Sequence, residues 1–147
     1  MSDSSNNSQY PKVGLGVIVI RDGKILLGER LSERGTGMYQ IAGGHLEFGE
    51  TFEEGARREV REETGLTDII VKGVVSVGND IAFDAHYITV GLLAESLSGE
   101  PSCPEPDESR NWQWYDLDNL PSPILPYTKR AIDNWRSGKL YTDHKVI

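Results

Sequence analysis

Glu59, Glu62 and Glu63 fall within five residues of one another, at spacings i, i+3 and i+4. On a helix those spacings put all three carboxylates in one sector of the surface. Three acids so placed repel one another instead of pairing with alternating lysines. A cation among them relieves the repulsion, and an oxygen-only donor set suits the hard ions Mg²⁺ or Mn²⁺. The plain alternative is a solvated glutamate-rich face, because Glu is a good helix former. Against it stands the glycine-rich Gly43-Gly44 just upstream, a backbone able to come close to a ligand. The chemistry expected of such a group is metal-assisted hydrolysis of an anionic substrate, since bound cations reverse the local field.

The element that must carry these acids has legible ends. Thr51 and Glu54 form the T-x-x-E pattern of a capping box, and Gly65 stands where a left-handed C-terminal cap belongs. A helix is therefore expected from Phe52 to Thr64, with Ala56 and Val60 as the apolar flank that docks it. Around it the chain alternates strand and helix signals. Val13–Ile20 and Lys24–Gly28 read as strands joined by an Asp22-Gly23 hairpin turn. Leu31–Gly37 reads as loop, and Met38–Ala42 as a short apolar segment leading into the Gly43-Gly44 turn. Ile69–Val77 and His86–Leu93 read as strands, separated by a turn-rich stretch holding Asn79, Asp80 and Asp84. Ser98–Ser109 reads as loop, Trp112–Tyr115 as a strand, and Pro126–Ser137 as a second helix closed by Gly138. A strand-rich layer with two principal helices predicts the α/β class, as a sandwich on a mixed β-sheet.

Composition sets outer limits. The 147 residues suit one domain, read as 11–147 behind a polar, disordered tail at 1–10 that lacks the apolar run of a secretory signal. No apolar stretch reaches the ~18 residues a membrane helix requires. A net charge of −8 argues against a general nucleic-acid binder, which needs clustered Lys and Arg, but leaves room for a small phosphorylated partner. The lone Cys103, in a proline-rich loop, forms no internal disulfide and fits a cytoplasmic setting.

Gly44, Glu50, Arg58, Glu59, Val60, Glu62, Glu63, Gly65 and Leu66 match every fixed position of the pattern G-x5-E-x7-R-E-U-x-E-E-x-G-U, where U is bulky and apolar. That pattern is the signature of the Nudix hydrolase family, which the chain resembles from Val13 to about Ser137. GGHLEFGE, His86-Tyr87 and Trp112-Gln113-Trp114 most resemble its MutT-like nucleoside triphosphate pyrophosphohydrolases. The resemblance implies an α/β/α sandwich and a metal-dependent pyrophosphohydrolase releasing nucleoside monophosphate and pyrophosphate. It implies Glu59, Glu62, Glu63 and the carbonyl of Gly43 as metal ligands, and Glu59, then Glu62, as the base that activates water. Arg58 and Glu50 would fix the loop against the helix. Three positions depart from common relatives: Tyr39 replaces Trp, Ala42 replaces Pro, and Arg110 stands where a glutamate can assist the metal. The auxiliary acid is then displaced, absent, or replaced by an arginine that holds phosphate.

Candidate substrate residues are Arg30 for phosphate, Gly44 as close-approach backbone, and Tyr39, His86 and Trp112 around a base; His45 is a further hydrogen-bonding histidine. Each has a structural alternative, the aromatics as core packing and the charged groups as surface pairs. The partner is a small nucleotide rather than nucleic acid or membrane. Other diphosphates (a nucleotide sugar, ADP-ribose, an isoprenoid diphosphate) remain open, as does a non-catalytic nucleotide sensor, and homodimerisation through strands and the C-terminal segment is compatible with catalysis.

Overall fold

The computed structural model describes residues 10–82 and 85–146. The expected tail, Phe83 and Asp84 therefore fall wholly or mostly outside the described residues. Among the described residues there are eight strands: β1 Lys12–Arg21, β2 Lys24–Arg30, β3 Tyr39–Gln40, β4 Ala42–His45, β5 Ile69–Ala82, β6 Ala85–Ser96, β7 Ser109–Asp116 and β8 Tyr141–Val146. Helix α1 spans Phe52–Thr64 and helix α2 spans Pro126–Ser137.

The strands form one mixed sheet in the order β3-β2-β1-β6-β5-β8, with β4 also on β1 and β7 on β2. β1–β6 and β5–β8 pair in parallel, and the other pairs are antiparallel. The fold is thus mixed α/β, with a large mixed sheet and two helices. Because side chains alternate across a strand, β1 feeds two cores. Leu15, Val17 and Val19 pack with Ala56, Val60 and Leu66 on the α1 side. Ile18 packs with Ile41, Ala131 and Ile132 on the α2 side.

Local signals are met where they were expected. Asp22 and Gly23 take positive φ values of 51° and 77° in the β1–β2 turn, the backbone a two-residue hairpin demands. Thr51 and Glu54 form both halves of the capping box, and Gly65 closes α1 at φ 79°. Pro126 opens α2 and Gly138 ends it.

Three elements differ from expectation. Asn79 and Asp80 lie inside β5 rather than in a turn, because the antiparallel ladder to β6 runs on to Ala82↔Ala85. Their polarity is satisfied sideways, Asp80 by Arg130 and Asn79 by His86 and Asp143. Gly43-Gly44 is a strand rather than a turn, since β4 pairs with β1 from Gly14↔His45 to Val17↔Ala42. Finally, β8 extends the sheet beside β5; its mixed polar sequence gives little periodic signal.

Candidate active site

Helix α1 and strand β4 face each other, and the acids sit between them. Glu59 and Glu63 are 7% and 8% exposed, whereas the Glu62 side chain is 43% exposed at the rim. The Glu59 carboxylate lies so close to Gly44 that a Cβ there would come within 2.5 Å of its Oε1. Only glycine permits that approach. The Gly43 N–H donates to Glu63 Oε2 at 2.7 Å. Both glycines of the pair are thus committed to the acids.

Arg58 organises the near side. Its Nε and Nη2 donate to the two Glu50 carboxylate oxygens at 2.6 and 2.9 Å, a two-pronged pair. Its Nη1 donates to Glu59 Oε1 at 2.7 Å and Glu62 Oε1 at 3.2 Å, and Nη2 also reaches the His45 carbonyl at 3.1 Å. One guanidinium therefore ties loop, strand and helix together. The Arg58 fork, with the Glu47 N–H behind it, holds the Glu50 carboxyl down at about 2.

The buried acids shift the opposite way. Burial raises Glu59 despite Arg58. Burial, and then the Glu59 and Glu105 charges, push Glu63 up to about 8 against the Gly43 hydrogen bond. Glu105, in the loop before β7, thus brings a fourth carboxylate to the cluster. From the sequence, Glu105 is, with Glu62 and Glu108, an alternative base to Glu59; a loop residue carries no periodicity to fix its position further. Arg110 does not enter this cluster. It lies opposite Glu29 in the β2–β7 ladder and donates to it at 3.2 and 3.3 Å.

These residues fit a hard divalent cation by donor chemistry: every side-chain donor is a carboxylate, two are buried, and Arg58 compensates only part of their charge. Among the described residues no three acids converge closely enough to enclose an ion as they stand. Arg58 Nη1 bridges Glu59 and Glu62, and the exposed Glu62 has room to turn.

The raised Glu63 carboxyl gives a pH prediction for metal-free protein. Unfolded, this group ionises near 4.5; folded, near 8. Unfolding in that window releases a proton, so the contribution of Glu63 to stability is fullest below about 4.5 and declines as pH rises to about 8. Thermal melts in chelator should fall across this range, and added Mg²⁺ should lift the alkaline melts most. A flat profile in chelator would remove the buried-acid account.

Beside the acids, on the α2 face of the sheet, opens a cleft of about 500 Å³. Arg30, Gly43, Gly44, His45, Tyr87, Tyr127 and Arg130 are among the residues that line it. Arg30 Nη1 donates to Gln40 Oε1 at 2.8 Å, and its Nε is held by the Arg34 carbonyl. Of the aromatic candidates, none lines the cleft. Trp112 is 5% exposed in the core on the α1 side, its Nε1 donating to Ser109 Oγ at 3.0 Å. Tyr39 packs edge-on against Tyr115, and its backbone clamps Pro123 and Leu125 ahead of α2. His86 is bound at 2.7 Å to Asn79 Oδ1. The histidine at the cleft is instead His45, stacked on Tyr87 with centroids 5.9 Å apart.

A family model described as NUDIX domain matches residues 11–135. The chain is 32% identical over 133 residues to a protein of Methanocaldococcus jannaschii named ADP-ribose pyrophosphatase, covering 88% of this chain and 77% of that one. It is 35% identical over 106 residues to a Danio rerio protein named oxidized purine nucleoside triphosphate hydrolase, covering 71% of this chain and 66% of that one. The crystal structure of a MutT NUDIX hydrolase from Burkholderia pseudomallei superposes with a TM-score of 0.75 at 33% identity, covering 85% of this chain and 98% of that one.

Proposed function

From the premise that this chain belongs to the NUDIX domain family, as the match over residues 11–135 shows, we propose that it hydrolyses nucleoside triphosphates to nucleoside monophosphate and pyrophosphate. That it is a Nudix hydrolase of nucleotide derivatives rests on the family and the named relatives. The observation that supports the finer reading is that Gly43 and Gly44, which touch the Glu63 and Glu59 carboxylates of α1, also line a cleft with Arg30 and Tyr87 in its walls.

Glu59, Glu62, Glu63 and the Gly43 carbonyl would hold Mg²⁺ or Mn²⁺, with Glu105 as auxiliary acid. Such a cation, when bound, would screen the phosphate oxygens and acidify an attacking water. Glu59 accepts the water's proton, and Arg58 aims its carboxylate. Gly44 offers main chain that a phosphate can approach closely. Arg30, carrying a charge without a carboxylate within 4.0 Å among the described residues, holds the outer phosphates. The soluble-enzyme reading places this chemistry in the cytoplasm, and no described helix is long and apolar enough to cross a membrane.

Chelation should abolish phosphoanhydride cleavage, and Mg²⁺ or Mn²⁺ should restore it, because uncompensated carboxylates repel a polyphosphate. Resolving the products of a triphosphate panel tests the rest: monophosphate plus pyrophosphate is expected, and diphosphate plus phosphate would contradict it. ADP-ribose belongs in the same panel as the second reading, favoured by the Methanocaldococcus relative's name. Cleavage undiminished in excess chelator would remove the metal mechanism altogether.

A further inference from the structure

The floor of the cleft is unusually bare. Strand register aligns Gly43, Gly16 and Gly91 in one transverse row across β4, β1 and β6. The next row runs His45, Gly14, Thr89 and Gly78, across β4, β1, β6 and β5. Over Gly78 lies the Arg130 guanidinium, so close that a Cβ there would sit 2.0 Å from its Nη2. Arg130 comes from α2, and its Nη1 and Nη2 donate to the two oxygens of buried Asp80, Nη2 at 2.8 Å. The Tyr127 ring packs against it, 5.4 Å from centroid to guanidinium. It is the most firmly held arginine in the cleft wall.

Two of its five N–H donors go to Asp80, and the other three make no hydrogen bond among the described residues. Its charge is cancelled by Asp80. A second phosphate gains little from a neutral pair and still loses its hydration, whereas a neutral carbonyl oxygen accepts the free donors at small cost. Arg30 and Arg34 differ: among the described residues neither has a carboxylate within 4.0 Å. The cleft therefore has a cationic, anion-binding end near Arg30 and Gly43-Gly44, and an electrically neutral, donor-rich end at Arg130. From His45 to Gly78 is three strand spacings, about 14 Å, enough for a nucleoside laid along the glycine floor.

We propose that Arg130, fixed by Asp80 and seated on Gly78, is the base-selecting residue, and that it favours bases presenting a carbonyl (guanine, hypoxanthine, uracil, thymine) over those presenting an amino group there (adenine, cytosine). This inference rests on the nucleotide reading above. An amino group opposite Arg130 sets donor against donor, and a good arginine–base contact discriminates by roughly 10- to 100-fold.

Inosine and adenosine nucleotides are the sharpest pair, because they exchange carbonyl for amine at one ring position. The expected result is a kcat/KM for inosine triphosphate about 10- to 100-fold above that for ATP. In the double variant Asp80→Asn/Arg130→Gln, which removes both charges together, that ratio should collapse toward one. Calorimetric binding of IMP and AMP to the wild-type protein in chelator should show the same preference without turnover, which decides the matter should the variant melt early. Equal use and equal binding of the two bases, or a ratio unchanged in a folded double variant, overturns the proposal. A protein that binds IMP over AMP yet cleaves no nucleotide overturns the proposed activity and leaves the base selection standing.

Discussion

Turnover by the Glu59→Gln protein falls roughly 10²- to 10⁴-fold, the usual contribution of a general base, and excess metal does not recover it. Glu59 is the acid whose position is most completely determined: buried, seated on Gly44, and held by Arg58 Nη1 at 2.7 Å. Gln preserves that packing and removes the ability to take a proton, together with the negative charge that Glu59 would offer a metal. Glu62→Gln and Glu63→Gln should behave differently, losing metal affinity and rate together and regaining part of the rate as Mg²⁺ is raised. Steady-state kinetics across a metal titration separates the two patterns. Near-normal turnover of Glu59→Gln at saturating metal would transfer the base to Glu62, or to Glu105 or Glu108 in the loop before β7; the Glu105 charge already reaches Glu59 and Glu63.

The Arg58→Ala protein should be impaired in folding as well as catalysis. Its guanidinium serves Glu50, Glu59, Glu62 and the His45 carbonyl at once. Removing it leaves the Glu50 carboxylate, only 11% exposed, without its cation, and uncompensated buried charge is strongly destabilising. It also frees Glu59 to rotate away from Gly44. Loss of a group that orients metal ligands typically costs 10- to 100-fold in affinity or activity. A lowered melting temperature is therefore expected together with a rate loss of that order. Wild-type protein should in addition lose stability as pH falls from about 4.5 toward 2, the window in which Glu50 is ionised only when folded. In the variant that acid transition should shrink, with only the Glu47 N–H still holding the Glu50 carboxyl down. A variant that melts as the wild type does, while losing activity, would make Arg58 a purely catalytic group.

Features written in short stretches of chain were legible before folding. The caps of α1, the Asp22-Gly23 turn and the shared sector of Glu59, Glu62 and Glu63 depend on neighbours within four residues. What was not legible depends on register or on which face a strand turns inward. Trp112 on an alternating strand has equal claim to either face, and the fold turns it into the α1-side core, away from the cleft. Asp80 looked like a turn residue because its partner Arg130 lies 50 positions away. Glu105 sits in a proline-rich loop with no period to aim it. The Gly43-Gly44 step read as a turn because glycine weakens a strand in isolation; β1 supplies the pairing that local propensity lacks.

The transverse alignment of β4, β1, β6 and β5 turns the sheet into a gauge. Main-chain hydrogen bonds hold adjacent strands ~4.8 Å apart, so the span from the His45 end of β4 to Gly78 is counted in whole strands. No side-chain exchange lengthens or shortens it. Mutation can repaint the walls of the cleft and change which group is welcomed there, while the graduation beneath stays the same. Two compounds with equal end groups but different reach would be told apart by main chain alone, and altering that length standard would require inserting or deleting a strand.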